Sequence, residues 1–523
     1  MAGKMNKVGW TFAIVIFCGG VSHAAMPNST GGKGAEYKPG ELIVKYRSGG
    51  EGRRGEFHRR HGSRKMKEFP SYDMEHVKVR AGASVDEAVR EFESDPEVEY
   101  AEPNFLVQAL VVPGDPSFTQ LWGMEKINAP AAWDTTTGSP EVVVAVIDSG
   151  IDVNHSDLKA NLWINTLELN GKPGVDDDGN GIIDDIHGYN AITGSSDLTD
   201  DVGHGTHVAG TIGAAGNNGV GVAGVNWNVR IMACKFLGAT GGGTDADAIA
   251  CLHYVAQMKR SGVNIVATNN SWGGGGYSRA LHDAIAAQQD ILFIVAGGND
   301  GTNSDVTPTY PASYDLPNMV VVAATTSTDS MATFSQYGRH SVHVGAPGSA
   351  IYSTAPGNSY ATHSGTSMAT PHVTGLAALI KAAKPATDWR GIKNLLLTGG
   401  NPLPSLAGKT VTGRQIDAFG SLTCLDSRIF SALHLPAAVT PGKPETLSVL
   451  SINCAAPLGP VTVTLSGGEL YQLKDDGISP DLVAGDGIFT ATLTPTRSNE
   501  TFNFSSPAGS EQIVISAPPA PAI

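Results

Sequence analysis

Four stretches of the chain, VVVAVI (142–147), VNIVAT (263–268), ILFIVA (291–296) and MVVVAA (319–324), are apolar without alternation. A strand with one wet face alternates apolar and polar residues, so unbroken runs of this kind predict strands covered on both sides, as in a parallel sheet flanked by helices. GLAALI (375–380) predicts a buried helix, and residues 115–423 as a whole read as an α/β unit. The runs end in polar residues, Asp148, Asn269 with Asn270, and Asn299. In open α/β sheets the ligand crevice lies beyond the carboxyl ends of the strands, which makes these ends the places to look for chemistry.

The pattern changes on both flanks. Between 37 and 110, ELIVKY, HVKVR and VEYAEPNF read as strands and VDEAVREFES as a helix, which predicts a small α+β unit. VVPGDPSF (111–118) reads as a linker, with two prolines and a glycine. From 424 to 515 alternating stretches such as PVTVTLSG and IFTATLTP predict an all-β sandwich, followed by a disordered tail over 516–523. At the other end, Lys4 and Lys7 precede the apolar run 8–21 and the small residues Ser22 and Ala24. That arrangement is expected of a cleavable secretory signal over 1–24, and the run is too short for a comfortable membrane span.

Length and charge narrow the picture. At 523 residues the chain is too long for one ordinary core, and two to four domains are expected. The formal net charge is −15; the first 110 residues carry 16 Lys/Arg against 15 Asp/Glu, leaving 19 against 35 for the rest. A strongly acidic body argues against nucleic-acid binding and suits bound cations. Export would leave Cys234, Cys251, Cys424 and Cys454 in an oxidising compartment. Four thiols allow three pairings; proximity along the chain favours Cys234 with Cys251 and Cys424 with Cys454, and buried free thiols are the alternative.

HSGTSMATPH (363–372) raises a question about one hydroxyl. Ser367 stands at a predicted helix start, where serine is an ordinary cap, yet a nucleophile placed there would need a base and an oxyanion site from elsewhere. Those partners are present in VAVIDSGID (144–152) and GHGTHVAGT (203–211), which with SGTSMATPHVTG (364–375) stand in the order Asp, His, Ser. The three strings resemble those of the subtilisin-like serine proteases, the subtilases, and their order is the subtilisin one. A serine esterase of the α/β-hydrolase type would instead show G-x-S-x-G with the histidine downstream.

The resemblance, which covers most of 115–420, implies a subtilisin-like parallel sheet with helices on both faces and a role for each motif. Asp148 would orient His204, His204 would act as general base and then acid, and Ser367 would attack the scissile carbonyl. Asn299, in IVAGGND (294–300), would donate to the oxyanion. Ser271, Trp272 and Gly273, in NNSWGGGG (269–276), would pair with extended substrate, while Gly298 and Thr309 fall near the family's specificity pocket. No carboxylate is evident there, so apolar or uncharged side chains are the expected preference. His207 and His372 are expected to pack or hydrogen-bond.

Calcium is the expected cofactor, in a structural role. In GVDDDGNGIIDD (174–185), Asp176, Asp178, Asn180 and Gly181 have EF-hand spacing, but the twelfth position is His187 rather than glutamate. Asp185 or Asp184, with the Ile182 carbonyl, is expected to close that shell. The resemblance implies a second site from Asp115, Asp157 and Asn218 with the carbonyls of Gly216, Val220 and Val222. Residues 25–110 resemble a subtilase propeptide, a ferredoxin-like chaperone and inhibitor whose last residues, about 103–110, would occupy the cleft. Residues 471–495 resemble a repeated type of extracellular β-domain, whose Asp475, Asp476, Asp481 and Asp486 are loop or calcium residues, with structural turns the favoured expectation. The overall expectation is a secreted or periplasmic, monomeric, broad-specificity serine endopeptidase acting on proteins or peptides and made as a zymogen.

Overall fold

The apolar runs become neighbours in one sheet. The computed structural model describes residues 37–47, 53–105, 111–433, 435–436 and 438–516; the expected signal over 1–24, the segment 106–110 and residues 517–523 of the expected tail lie outside these. The chain divides near residue 107 into two units.

In the first unit the strands Tyr37–Tyr46, Arg64–Phe69, Met74–Lys78 and Val98–Phe105 form an antiparallel sheet. Helices Arg54–His61 and Val85–Glu93 follow the first and third strands, giving the β-α-β-β-α-β order of a ferredoxin-like fold. The second helix begins at a capping box, in which the Ser84 hydroxyl and the Glu87 carboxylate satisfy each other's backbone N–H. Its Val85, Ala88 and Phe92 pack with Phe57 and the strand residues Leu42, Val44 and Val98.

The second unit is built on a nine-stranded sheet. In spatial order its strands are Asn401–Pro402, Arg414–Gln415, Val344–Pro347, Met319–Thr325, Leu292–Ala296, Ile265–Asn270, Gly138–Asp148, Asn228–Lys235 and Gly188–Asn190. All neighbours are parallel except the pair at the 401–415 edge. The predicted double burial holds: Met319–Thr325 and Leu292–Ala296 are buried at every residue. Strand order reverses at Gly138–Asp148, from which later strands extend to both sides, and such a switch point opens a crevice at the strand ends. Helix Thr366–Ala383 runs through the core, buried from Met368 to Ile380, and contains the predicted GLAALI segment.

Beyond helix Ala418–Thr423 come two four-stranded antiparallel sheets. One holds Arg428–Leu433, Glu445–Asn453, Ala456–Pro457 and Ile488–Leu493; the other holds Val461–Leu465, Leu470–Leu473, Glu500–Ser506 and Gly509–Ile515. Leu447, Val449 and Phe489 from the first meet Val463, Phe502 and Phe504 from the second in one apolar core, as a sandwich requires. Cys234 pairs with Cys251, and Cys424 with Cys454, so the pairing by proximity holds and the second disulfide ties the sandwich to the α/β body.

Candidate active site

Asp148 ends its strand fully buried, and His204 opens helix His204–Gly213. Gly205 lets that helix approach the strand: a Cβ there would fall 2.1 Å from the Gly150 carbonyl oxygen and 3.2 Å from the Asp148 Cβ. His204 Nδ1 lies 2.8 Å from Asp148 Oδ1, which also accepts the Ser149 N–H at 2.7 Å. An ionised carboxylate only accepts, so Nδ1 carries the proton and Nε2 is left as the basic nitrogen. Burial disfavours the imidazolium, but the charge and hydrogen bond of Asp148, with Asp200 behind, outweigh it and raise the His204 pKa above 6.5.

Ser367 is the second residue of helix Thr366–Ala383, in the first turn, where backbone N–H groups have no partner within the helix. Pro371 lacks the N–H that would bond the Ser367 carbonyl four residues back. That carbonyl instead accepts the Ser271 hydroxyl at 2.8 Å, while the Ser367 hydroxyl donates to the Ser271 carbonyl at 3.0 Å. The two segments are thereby stitched across the switch-point crevice. Neither Ser364 nor Thr366 caps the helix: the Ser364 hydroxyl accepts the Ala350 N–H from a distant segment, and the helix has no side-chain cap.

Thr366 orients Asn299. The Asn299 Oδ1 accepts the Thr366 N–H at 2.8 Å and its hydroxyl at 3.0 Å, and that hydroxyl in turn accepts the Gly298 N–H. His204, Asn299 and Ser367 share the lining of a cavity of about 550 Å³ with Ser271, Trp272 and Gly273. Phe236, Leu237, Leu281 and Tyr310 give it an apolar wall, and Trp272 packs edge-on against Phe236 with ring centres 4.8 Å apart. These four wall residues come from three separate segments and carry no local signal. Gly298 and Thr309 do not line this cavity; they meet at Gln336, whose Nε2 donates to the Thr309 hydroxyl at 2.7 Å.

The other two histidines pack as expected. His207 is buried, bonds the carbonyls of Ile351 and Ala361, and stacks on His363; burial pushes its pKa down to about 3. His372 bonds the Met368 carbonyl one turn back, and burial lowers it to about 4.

The carboxylates expected to bind metal hydrogen-bond within two loops. Asp115 accepts the N–H groups of Asn217, Asn218 and Gly219, while Asp157 accepts from the Asn218 side chain, the Val222 N–H and the Tyr360 hydroxyl. Both carboxylates thus face the 216–222 loop. In the other loop, carboxylate oxygens of Asp176 and Asp178 lie within 4.8 Å of one another and of Glu168. Glu168 carries no signal in the sequence, because helix Thr166–Asn170 brings it in from outside the Asp-rich string. Asn180 donates to Asp178 and Asp185, while Asp185 takes bonds from Asn165 and Tyr254, and burial raises its pKa to about 6. Glu168, not Asp185, completes the acidic triplet; His187 bonds the Trp163 carbonyl instead.

A buried aspartate holding a histidine that lines one cavity with a serine in the first turn of a helix is a distinctive arrangement. The Subtilase family model matches residues 139–413. The chain belongs to the subtilase family. Residues 23–104 match the fervidolysin N-terminal prodomain. Subtilisin-like protease 1 of Plasmodium berghei is 39% identical over 322 residues, 58% of this chain and 53% of that protein. An extracellular protease of Xanthomonas campestris pv. campestris is 32% identical over 481 residues, 84% of this chain and 81% of that protein. A solved structure of proteases from Pseudoalteromonas arctica PAMC 21717 is similar with a TM-score of 0.50 at 30% identity, covering 60% of this chain and 99% of that one. This chain spans about half the length of the first two Plasmodium relatives it matches.

Proposed function

We propose that the protein is a secreted serine endopeptidase made as a zymogen. The observation that carries this reading is the meeting of Asp148-bound His204, Ser367 and Asn299 at one cavity. Ser367 Oγ adds to the scissile carbonyl carbon as His204 Nε2 takes its proton, and Asp148 steadies the imidazolium. The oxyanion accepts from the Asn299 amide and the Ser367 N–H. His204 then protonates the leaving amine, and water, activated by the same base, releases the acyl group from Ser367. Substrate lies extended along Ser271, Trp272 and Gly273, where glycine lets the two backbones approach closely. The apolar wall favours apolar or uncharged side chains, with Gly298 and Thr309 shaping the specificity pocket from behind.

Cleavage of casein by the wild type and none by Ser367→Ala is the expected result; equal cleavage by both sinks the mechanism. Residues 25–110 act as intramolecular inhibitor and are removed near residue 110, leaving 115–423 as the catalytic domain and 424–515 as a β-domain. A 26–110 fragment is expected to inhibit the mature enzyme, and no inhibition at micromolar fragment rejects that role. Export fits the Xanthomonas relative, which is named an extracellular protease, and no described helix is long and apolar enough to cross a membrane.

Calcium is the structural ion of this reading. One proposed site takes buried Asp115 and Asp157 with Asn218 and the carbonyls of Gly216, Val220 and Val222, and the approach of both carboxylates to the 216–222 loop supports it. Asp176, Asp178, Asn180, the Ile182 carbonyl and Glu168 form the other, with Asp185 behind them. Such all-oxygen sets suit calcium, which ties together loops that cannot bury enough apolar surface to stay ordered. A chelator is expected to lower Tm, and an unchanged Tm overturns both sites.

A further inference from the structure

Three carboxylates unused by this chemistry meet in the loop between strands Leu470–Leu473 and Ile488–Leu493. One oxygen from each of Asp475, Asp481 and Asp486 lies within 4.8 Å of the other two. Asp481 and Asp486 are only 4% and 1% exposed. The expected turns are present: Asp475 accepts the N–H groups of Gly485, Asp486 and Gly487, Asp481 accepts that of Gly477, and Asp486 Oδ1 accepts that of Ile488. Turn formation leaves one atom unexplained. Asp486 Oδ2 is buried and has no hydrogen-bond partner.

A buried carboxylate oxygen without a donor, set beside two more carboxylates, is disfavoured by desolvation and by like charge. The cation that acts on Asp486 is Lys393. Lys393 is buried in helix Trp389–Thr398, its ammonium bonded to the Pro317 carbonyl. Three clustered carboxylates outnumber the one ammonium that acts on Asp486, an excess of negative charge that a divalent cation would offset.

We propose that Asp475, Asp481 and Asp486 form a calcium site that fastens the 474–488 loop of the β-domain against helix Trp389–Thr398. Oxygen separations up to 4.8 Å are those of ligands around an ion with bonds of about 2.3–2.6 Å, and an all-oxygen donor set selects a hard cation. The loop is already seated on the helix: the Arg390 guanidinium donates to the Ala484 carbonyl at 2.6 Å, and a Cβ at Gly487 would stand 3.5 Å from the Asn394 amide nitrogen. The ion would therefore act at the seam between the sandwich and the α/β body, away from the two sites assigned above.

The test uses the full chain carrying Ser367→Ala, so that metal is counted without proteolysis and independently of the mechanism. Calcium bound per chain at equilibrium dialysis is compared with that of the same chain carrying Asp486→Asn or Asp481→Asn in addition. Asparagine keeps an oxygen for the loop N–H groups but removes the charge. One calcium fewer per chain in either variant is the expected result; an unchanged count in a variant that retains the parent's near-UV circular dichroism overturns the site. If both variants misfold, hydrogen exchange of the parent decides: faster exchange across 474–488 on chelation supports the site, and no change there overturns it.

Discussion

Asn299 Oδ1 accepts the backbone N–H of Thr366 at 2.8 Å, and this one bond decides which end of the amide is free. With the oxygen held, the NH₂ remains as the donor beside Ser367. Asn299→Ala is expected to lower kcat/KM by roughly 100 to 1000-fold, the loss attached to this kind of donor in subtilisin, with Tm nearly unchanged. Steady-state kinetics on a peptide amide checks it, and a loss below about fivefold would place the oxyanion elsewhere.

The raised pKa of His204 sets the acid limb of activity. Catalysis needs the neutral imidazole, so kcat/KM should rise with pH through a midpoint above 6.5. The sign for stability is opposite: the Asp148–His204⁺ attraction contributes fully below pH 6.5 and is lost as pH climbs through the raised value. A pH–rate profile with its acid limb below 6.5 contradicts this electrostatic balance.

Gly298 has φ +116°, and a Cβ there would lie 1.4 Å from Gln336 Oε1. Gly298→Ala should cost about 2–4 kcal/mol, combining left-handed strain with the clash, and should reduce kcat by displacing Asn299. Adding Gln336→Ala removes the clash but not the strain, so a partial recovery of Tm is expected. Thermal melts of the single and double variants measure both parts.

The Cys424–Cys454 disulfide closes a 30-residue separation between the α/β body and the sandwich. Its replacement by alanine at both positions should cost roughly 3–4 kcal/mol on the chain-entropy account. Denaturant melts of wild type and double variant under oxidising conditions check it: both keep Cys234–Cys251, so the difference between them reports the Cys424–Cys454 bond alone.

Much of this molecule was legible because its decisive chemistry sits in short strings. Asp148 ends an apolar run, and His204 and Ser367 open helices rich in small residues, so each position can be recognised from its neighbours alone. Double burial of the central strands likewise follows from runs that lack alternation, a local property. Glu168 was not legible, since its relation to Asp176 and Asp178 depends on how a short helix returns to the loop. Nor were Phe236, Leu281 and Tyr310 as one wall, or Thr309 as a partner of Gln336, because contacts between distant segments leave no spacing to read.

The linear chain determines the fold class, the order of the three chemical motifs and the identity of the residues that carry them, because motif and periodicity are properties of adjacent residues. Only folding decides which atoms are usable. The Thr366 bond turns the Asn299 amide, and Asp148 selects the His204 tautomer. Pro371 frees a carbonyl for Ser271, and burial leaves Asp486 Oδ2 without a donor. Each depends on the direction and desolvation of a polar group, quantities that exist only once distant segments have packed together.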